Sequence, residues 1–186
     1  MGLSRAALTT IAERTGYPVR AAWVTGHGPM GKVRGVMLHH TATPARAKGD
    51  YPSLRVVREG HGTLKGPLCN YGLGRSGTIY LVTDGRAFHA GKGQYRGITA
   101  GNSSFLGIEG EHPGDGTPWP DQQFDAYCRL VASILHALGR DTTWDIRHSL
   151  WTRRKIDTNG FEMKDLDARV KKMLKRPATI NRNHER

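Results

Sequence analysis

Cysteine is almost absent from this 186-residue chain: Cys69 and Cys128 are the only two. Two thiols build neither a multi-bridge disulfide framework nor a Cys-x-x-Cys metal knuckle. Both are expected to be buried as small hydrophobes, Cys128 on the apolar face of a helix. Long apolar runs are missing too. No stretch approaches the roughly 20 apolar residues a membrane helix needs, and Met1 to Leu8 holds no apolar segment of signal-peptide length. The expectation is a soluble, monomeric protein with no membrane partner. Acidic residues are scarce: 16 Asp and Glu against 28 Lys and Arg give a formal net charge of +12. That balance favours polyanionic partners such as nucleic acid, anionic lipid or an anionic cell wall. Helix-turn-helix, zinc-finger and aromatic RNA-binding patterns are all lacking, so nucleic acid is not expected among them.

What is present suits one compact domain with many turns: 37% hydrophobic residues and 24 glycines. Residues 4–15 read as a helix with Ser4 as N-cap and Gly16 as stop. The next stretch, through Gly26-His27-Gly28-Pro29, reads as loop. Val33 to Leu38 reads as a buried strand, and residues 53–59 as a helix capped by Ser53 and stopped by Gly60. Tyr71-Gly72-Leu73-Gly74 and Thr78-Ile79-Tyr80-Leu81-Val82 form a hairpin pattern around Arg75-Ser76-Gly77. Phe105 to Glu111 is a further strand. The clearest helix is 122–138, where Phe124, Tyr127, Cys128, Val131, Ile134, Leu135 and Leu138 recur at three- and four-residue steps. A last helix spans about 163–174, followed by a basic tail, 175–186. Mixed strands and helices predict an α/β fold, a single domain with a central mixed sheet flanked by helices. Residues 1–32 would pack on a catalytic segment, 33–174.

Three segments carry chemistry. His39-His40 ends the first buried strand, and successive strand side chains point to opposite faces, so one of the pair faces a site while the other packs or supports. His148 precedes a basic loop, Arg153-Arg154-Lys155, and Asp157 follows nine residues after it. Two imidazoles and a carboxylate are a ligand set zinc accepts, and three protein ligands leave a fourth position open. Glu109 stands inside an apolar strand, where a carboxylate is costly unless paired or functional. With Ile108 toward the core, Glu109 faces the site.

The order His39-His40-Thr41-Ala42-Thr43, Asn70-Tyr71, Phe88-His89-Ala90-Gly91, Gly107-Ile108-Glu109, then His148 and Lys155-Ile156-Asp157 resembles the type-2 N-acetylmuramoyl-L-alanine amidases, which share a fold with peptidoglycan recognition proteins. The resemblance covers about Val33 to Leu174. Trp23 to Met30 is similar to the amidase domains of endolysins from phages of actinobacteria. The resemblance implies one zinc ion held by His39, His148 and Asp157. It implies Glu109 as general base, and Tyr71 and Lys155 beside the reacting oxygen. It implies a substrate groove lined by His89, to which His40, Asn70 and Asn102 are also assigned. It implies cleavage of the amide between N-acetylmuramic acid and L-alanine in bacterial peptidoglycan, with anionic wall polymers as further partners. A phage protein of this kind would be made in the host cytoplasm and reach the wall after release. The alternative is a peptidoglycan-binding protein of the same fold without catalysis. Such binders often lack the third ligand, which this chain keeps as Asp157. Two departures stand out: Gly72 where some relatives have His, and Thr158-Asn159-Gly160 where Pro-Gly is frequent. Asn102-Ser103-Ser104 also fits a glycosylation sequon, read here as coincidence.

Overall fold

The computed structural model describes residues 3–175. The basic tail expected beyond Lys175 lies outside them. Along the chain run α1 (Arg5–Glu13), β1 (Val19–Ala21), β2 (Gly35–His40), α2 (Leu54–Glu59), β3 (Gly60–His61), β4 (Leu64–Lys65), β5 (Tyr71–Leu73) and β6 (Ile79–Leu81). They are followed by α3 (Gly101–Ser104), β7 (Phe105–Gly110), α4 (Asp121–Leu138), β8 (Asp145–Arg147), α5 (His148–Trp151) and α6 (Met163–Leu174). Six strands form one sheet in the order β1-β6-β5-β7-β2-β8, and β3 pairs only with β4. Within the main sheet, β5 and β6 are antiparallel while every other pairing is parallel. This is the mixed α/β architecture expected.

Both sheet faces are covered. Val36 and Leu38 of β2, Leu106 and Ile108 of β7, and Tyr71 and Leu73 of β5 share a core with Leu8 and Ile11 of α1, Leu130 and Ile134 of α4, and Leu166 and Val170 of α6. We call this the core face. On the other side, the site face, Met37, Phe105 and Ile146 pack with Ala90 and Trp151, and Tyr80 packs with Tyr51, Val57 and Cys69. Burial from both sides explains why β2 is a continuous run of buried residues rather than an alternation. Removing one such side chain, Ile134→Ala for example, costs about 2–5 kcal/mol, because the transfer energy is lost and a cavity remains.

Local signals worked where the sequence met its own neighbours. Ser4 Oγ accepts the Ala7 amide at 3.2 Å and starts α1. Gly139, in left-handed geometry at φ 61, ends α4. Cys69 and Cys128 are free and buried, as expected. Two expectations need correction. Residues 19–21, expected as loop, form edge strand β1: its side chains are exposed or half-buried, so only backbone pairing to β6 marks it. Ser53 precedes α2 but makes no side-chain cap. Its amide donates to Glu111 Oε2 at 3.2 Å, and its hydroxyl donates to the same oxygen.

Candidate metal centre

The carboxyl ends of the parallel strands are where an α/β sheet presents its side chains to a ligand, and here they carry His39 and Glu109. The two residues are register partners on β2 and β7, and partners in register share a face, here the site face. Neighbouring β8 ends at Arg147, and His148 opens α5. The loop after α5 turns back, with Ser149 N donating to Asp157 O at 2.8 Å. That hydrogen bond folds Asp157 against His148.

His39 Nδ1, His148 Nδ1 and Asp157 Oδ2 converge. The two nitrogens are 3.1 Å apart, and the carboxylate oxygen lies 2.9 Å from one and 3.0 Å from the other. The distal ring atoms fix the tautomers. His89 Nε2 lies 3.1 Å from the Phe105 carbonyl, which only accepts, so that nitrogen carries the proton. His89 Nδ1 therefore accepts from His39 Nε2, 3.1 Å away. His148 Nε2 likewise donates to the Ala90 carbonyl at 3.0 Å. Both Nδ1 atoms thus present lone pairs toward a carboxylate. Burial pushes the His39 pKa down to about 4, Asp157 opposing that effect only in part, so His39 is a neutral imidazole near pH 7. Two imidazole nitrogens and a carboxylate oxygen aimed at one point fit a cation. The N, N, O set fits zinc, with both second nitrogens tied to protein acceptors as metal-ligating histidines require.

The flanking residues divide clearly. Glu109 Oε2 is buried and has no hydrogen-bond partner among the described residues. Its pKa is raised well above the carboxylate range, first by burial and then by the Asp157 charge, with Lys155 acting in the opposite sense. Glu109 therefore stands beside His39 on the site face, and Lys155 occupies an exposed loop position two residues before Asp157. Tyr71 lies on the core face, fully buried, with its hydroxyl donating to Leu8 O at 3.0 Å. The reason is register: Tyr71 pairs with Ile108, whereas Gly72 pairs with Glu109. At Gly72 a Cβ would lie 2.2 Å from the Tyr51 ring. Tyr51 fills that space and donates to Glu109 O at 2.9 Å.

The four residues assigned to a substrate groove are also re-placed. Asn70 is fully buried, its amide nitrogen donating to Thr83 O and Gly85 O and its oxygen accepting from Gly107 N. His40, on the core face, accepts the Asn159 amide at 3.2 Å. With Trp119 donating to Asn159 O at 2.7 Å, it shapes the loop behind Asp157 where Pro-Gly is absent. His89 is buried behind His39. Asn102 Oδ1 accepts two backbone amides, of His89 and Ala90. Each of the four has a protein partner. Sequence reasoning missed Tyr127, whose hydroxyl accepts from His39 N at 3.0 Å and reaches the His39 and Ile108 carbonyls. A tyrosine among the aliphatic residues of α4 was the available signal, since a buried phenol needs a partner.

The sequence model of the N-acetylmuramoyl-L-alanine amidase family matches residues 29–160, most of the chain and every residue of the site just described. The chain belongs to this amidase family. No curated protein sequence matches it. Among solved structures it is similar to AmiD from E. coli in complex with anhydro-N-acetylmuramic acid-L-Ala-D-gamma-Glu-L-Lys, at TM-score 0.61 and 18% identity, over 77% of this chain and 60% of that one. It is similar to AmpD at TM-score 0.63 and 19% identity, over 83% and 94% of the two chains. It is also similar to the endolysin LysCS from Clostridium intestinale, at TM-score 0.57 and 16% identity, over 82% and 95%. The amidase fold is common to all three. Within it, the amidase described here takes its three candidate ligands from β2, the start of α5 and the loop after α5.

Proposed function

We propose that this amidase hydrolyses the amide between the lactyl group of N-acetylmuramic acid and L-alanine in bacterial peptidoglycan, with one zinc ion held by His39, His148 and Asp157. The observation that carries the reading is the convergence of three lone-pair donors whose tautomers are fixed by the Phe105 and Ala90 carbonyls. Zinc, when bound, supplies Lewis acidity at the scissile carbonyl and brings the pKa of water it holds to about 7. Glu109 has a free, buried Oε2 next to Asp157. It takes the proton from the attacking water and passes it to the leaving amine. Lys155, two residues before Asp157, donates to the tetrahedral oxyanion in this reading, a contact whose loss costs about 10²–10³ in rate elsewhere. Tyr71 has no part in this chemistry. Asp157, in place beside both histidines, favours the enzyme over a binder that lacks a third ligand.

Residues 33–174 would carry this activity. Its setting in this reading is phage-driven lysis of a bacterial host. The support is the endolysin-like stretch Trp23 to Met30 and a net charge of +12, suited to phosphate- and carboxylate-bearing walls. Mass analysis of digested peptidoglycan tests the reaction. New L-alanine amino termini with no new reducing sugar ends are expected, and new reducing ends would replace the amidase reading with a glycosidase.

A further inference from the structure

Outside the three candidate ligands, one short segment touches two of them. The His89 imidazole lies behind His39, Nδ1 to Nε2 at 3.1 Å. The next residue, Ala90, offers its carbonyl to His148 Nε2 at 3.0 Å. Both backbone amides of this dipeptide donate to a single atom, Asn102 Oδ1, at 3.0 and 2.7 Å. Asn102 stands on α3, immediately before β7, and so moves with the sheet rather than with the loop that carries His89. The segment can lie this close to the sheet because residue 107 has no side chain: a Cβ there would sit 2.7 Å from His89 Cγ. Below it, Ala90 packs with Met37, Phe105 and Trp151.

We propose that His89–Ala90, clamped by the Asn102 carboxamide, is one bracket that orients both histidine ligands, so that Asn102 sets the affinity of the metal site without touching the metal. The inference rests on the reading of His39, His148 and Asp157 as zinc ligands. Asn102 is then a positioning residue, and the atom that matters is its oxygen. Loss of a partner one shell out from a metal typically costs about 10–100-fold in affinity. Here one carboxamide stands behind two ligands at once.

Zinc affinity, measured by competition with a chromophoric chelator on the full-length protein, tests this. Asn102→Ala should weaken zinc by about 10–100-fold. Asn102→Asp keeps an acceptor oxygen for both amides and should stay within about threefold of wild type. Cobalt-substituted protein adds a readout of ligand geometry: its visible spectrum should change in the Ala variant and not in the Asp variant. The variants His89→Ala and Asn102→Ala should also be non-additive in zinc affinity, because releasing the segment already frees His89. Circular dichroism of the metal-free proteins separates a folding failure from a metal effect. If the Ala variant is unfolded, the Asp variant decides: a 10-fold or greater loss there overturns the bracket. So does a folded Ala variant with wild-type zinc affinity, or a pair of losses that simply multiply. No zinc uptake by the wild type would instead sink the reading of the ligand set.

Discussion

His39 and His40 are chain neighbours with opposite fates. The pleat sends His39 to the site face, where its Nδ1 meets another imidazole and a carboxylate and takes no proton from either. It sends His40 to the core face, where its Nδ1 accepts the Asn159 amide. The contrast extends across the sheet. On the core face, the buried phenols are consumed by backbone: the Tyr71 hydroxyl by Leu8 O, the Tyr127 hydroxyl by His39 and its neighbour strand. On the site face, at the carboxyl ends of the strands, Glu109 Oε2 is left buried without a partner. An orphaned buried carboxylate oxygen costs free energy on folding, and on the site face that cost falls beside the candidate ligands.

The largest test of this division compares the histidines directly. His148→Ala should remove most of the zinc, read by elemental analysis, and reduce hydrolysis to background. His40→Ala should weaken zinc by about tenfold, since it loosens only the loop behind Asp157. Full zinc retention in His148→Ala would dismiss the ligand assignment. Next in size, Glu109→Gln should keep zinc and fold while turnover drops by about 10²–10⁴, because an amide cannot carry the proton. Near-wild-type turnover would reduce Glu109 to a neighbour of the ligands.

On the core face, Tyr71→Phe should cost about 1 kcal/mol of stability, from the lost hydrogen bond to Leu8 O, and leave kcat unchanged. A tenfold fall in kcat would return Tyr71 to the reaction. The same face holds one titrating exception. Asp145 is paired with Val36 in register and buried. Burial, and then the neighbouring Asp167, push its carboxyl up to about 8 from 3.8. The folded state therefore binds this proton more tightly than the unfolded chain, and stability falls as pH rises from about 4 to about 8. Asp145→Asn should flatten the Tm against pH over that window and raise Tm at pH 8. An unchanged slope would mean that Asp145 does not titrate there. The smallest effect concerns exposed charge on α6. Replacing Lys171, Lys172 and Lys175 by Gln should modestly weaken binding to purified walls at low salt. The difference should vanish as salt rises, since the Debye length is already about 8 Å at 0.15 M. Salt-independent binding, equal in both proteins, would leave that charge a role in solubility alone.

Legibility followed the range of the signal. The 3.6-residue period of α4, the apolar block of β2 and the order of the motifs were readable because each depends on residues close in the chain. The presence of metal-ligating residue types at His39, His148 and Asp157 was readable too, but their convergence, from segments far apart in the chain, needed the fold. β1 was not readable, because Val19–Ala21 has no burial pattern and is a strand only through its pairing with Ile79–Leu81. Tyr71 was misplaced because family order gives its position along the strand but not the face it takes. That face is set by register with Ile108. His89 and Asn102 were read as groove residues because polar side chains near a site resemble substrate contacts until their partners are known.

By itself, then, the sequence determined most of the elements, the positive charge and the inventory of metal-ligating groups, all of them local or compositional properties. The tertiary structure decided which of two adjacent histidines meets the second imidazole, since the pleat fixes only that they differ and the helices α1, α4 and α6 choose the side. It also decided which nitrogen of each ring is free for a metal, because the tautomers are set by the Phe105 and Ala90 carbonyls, groups that lie far along the chain and come within 3.1 Å only after the sheet has formed.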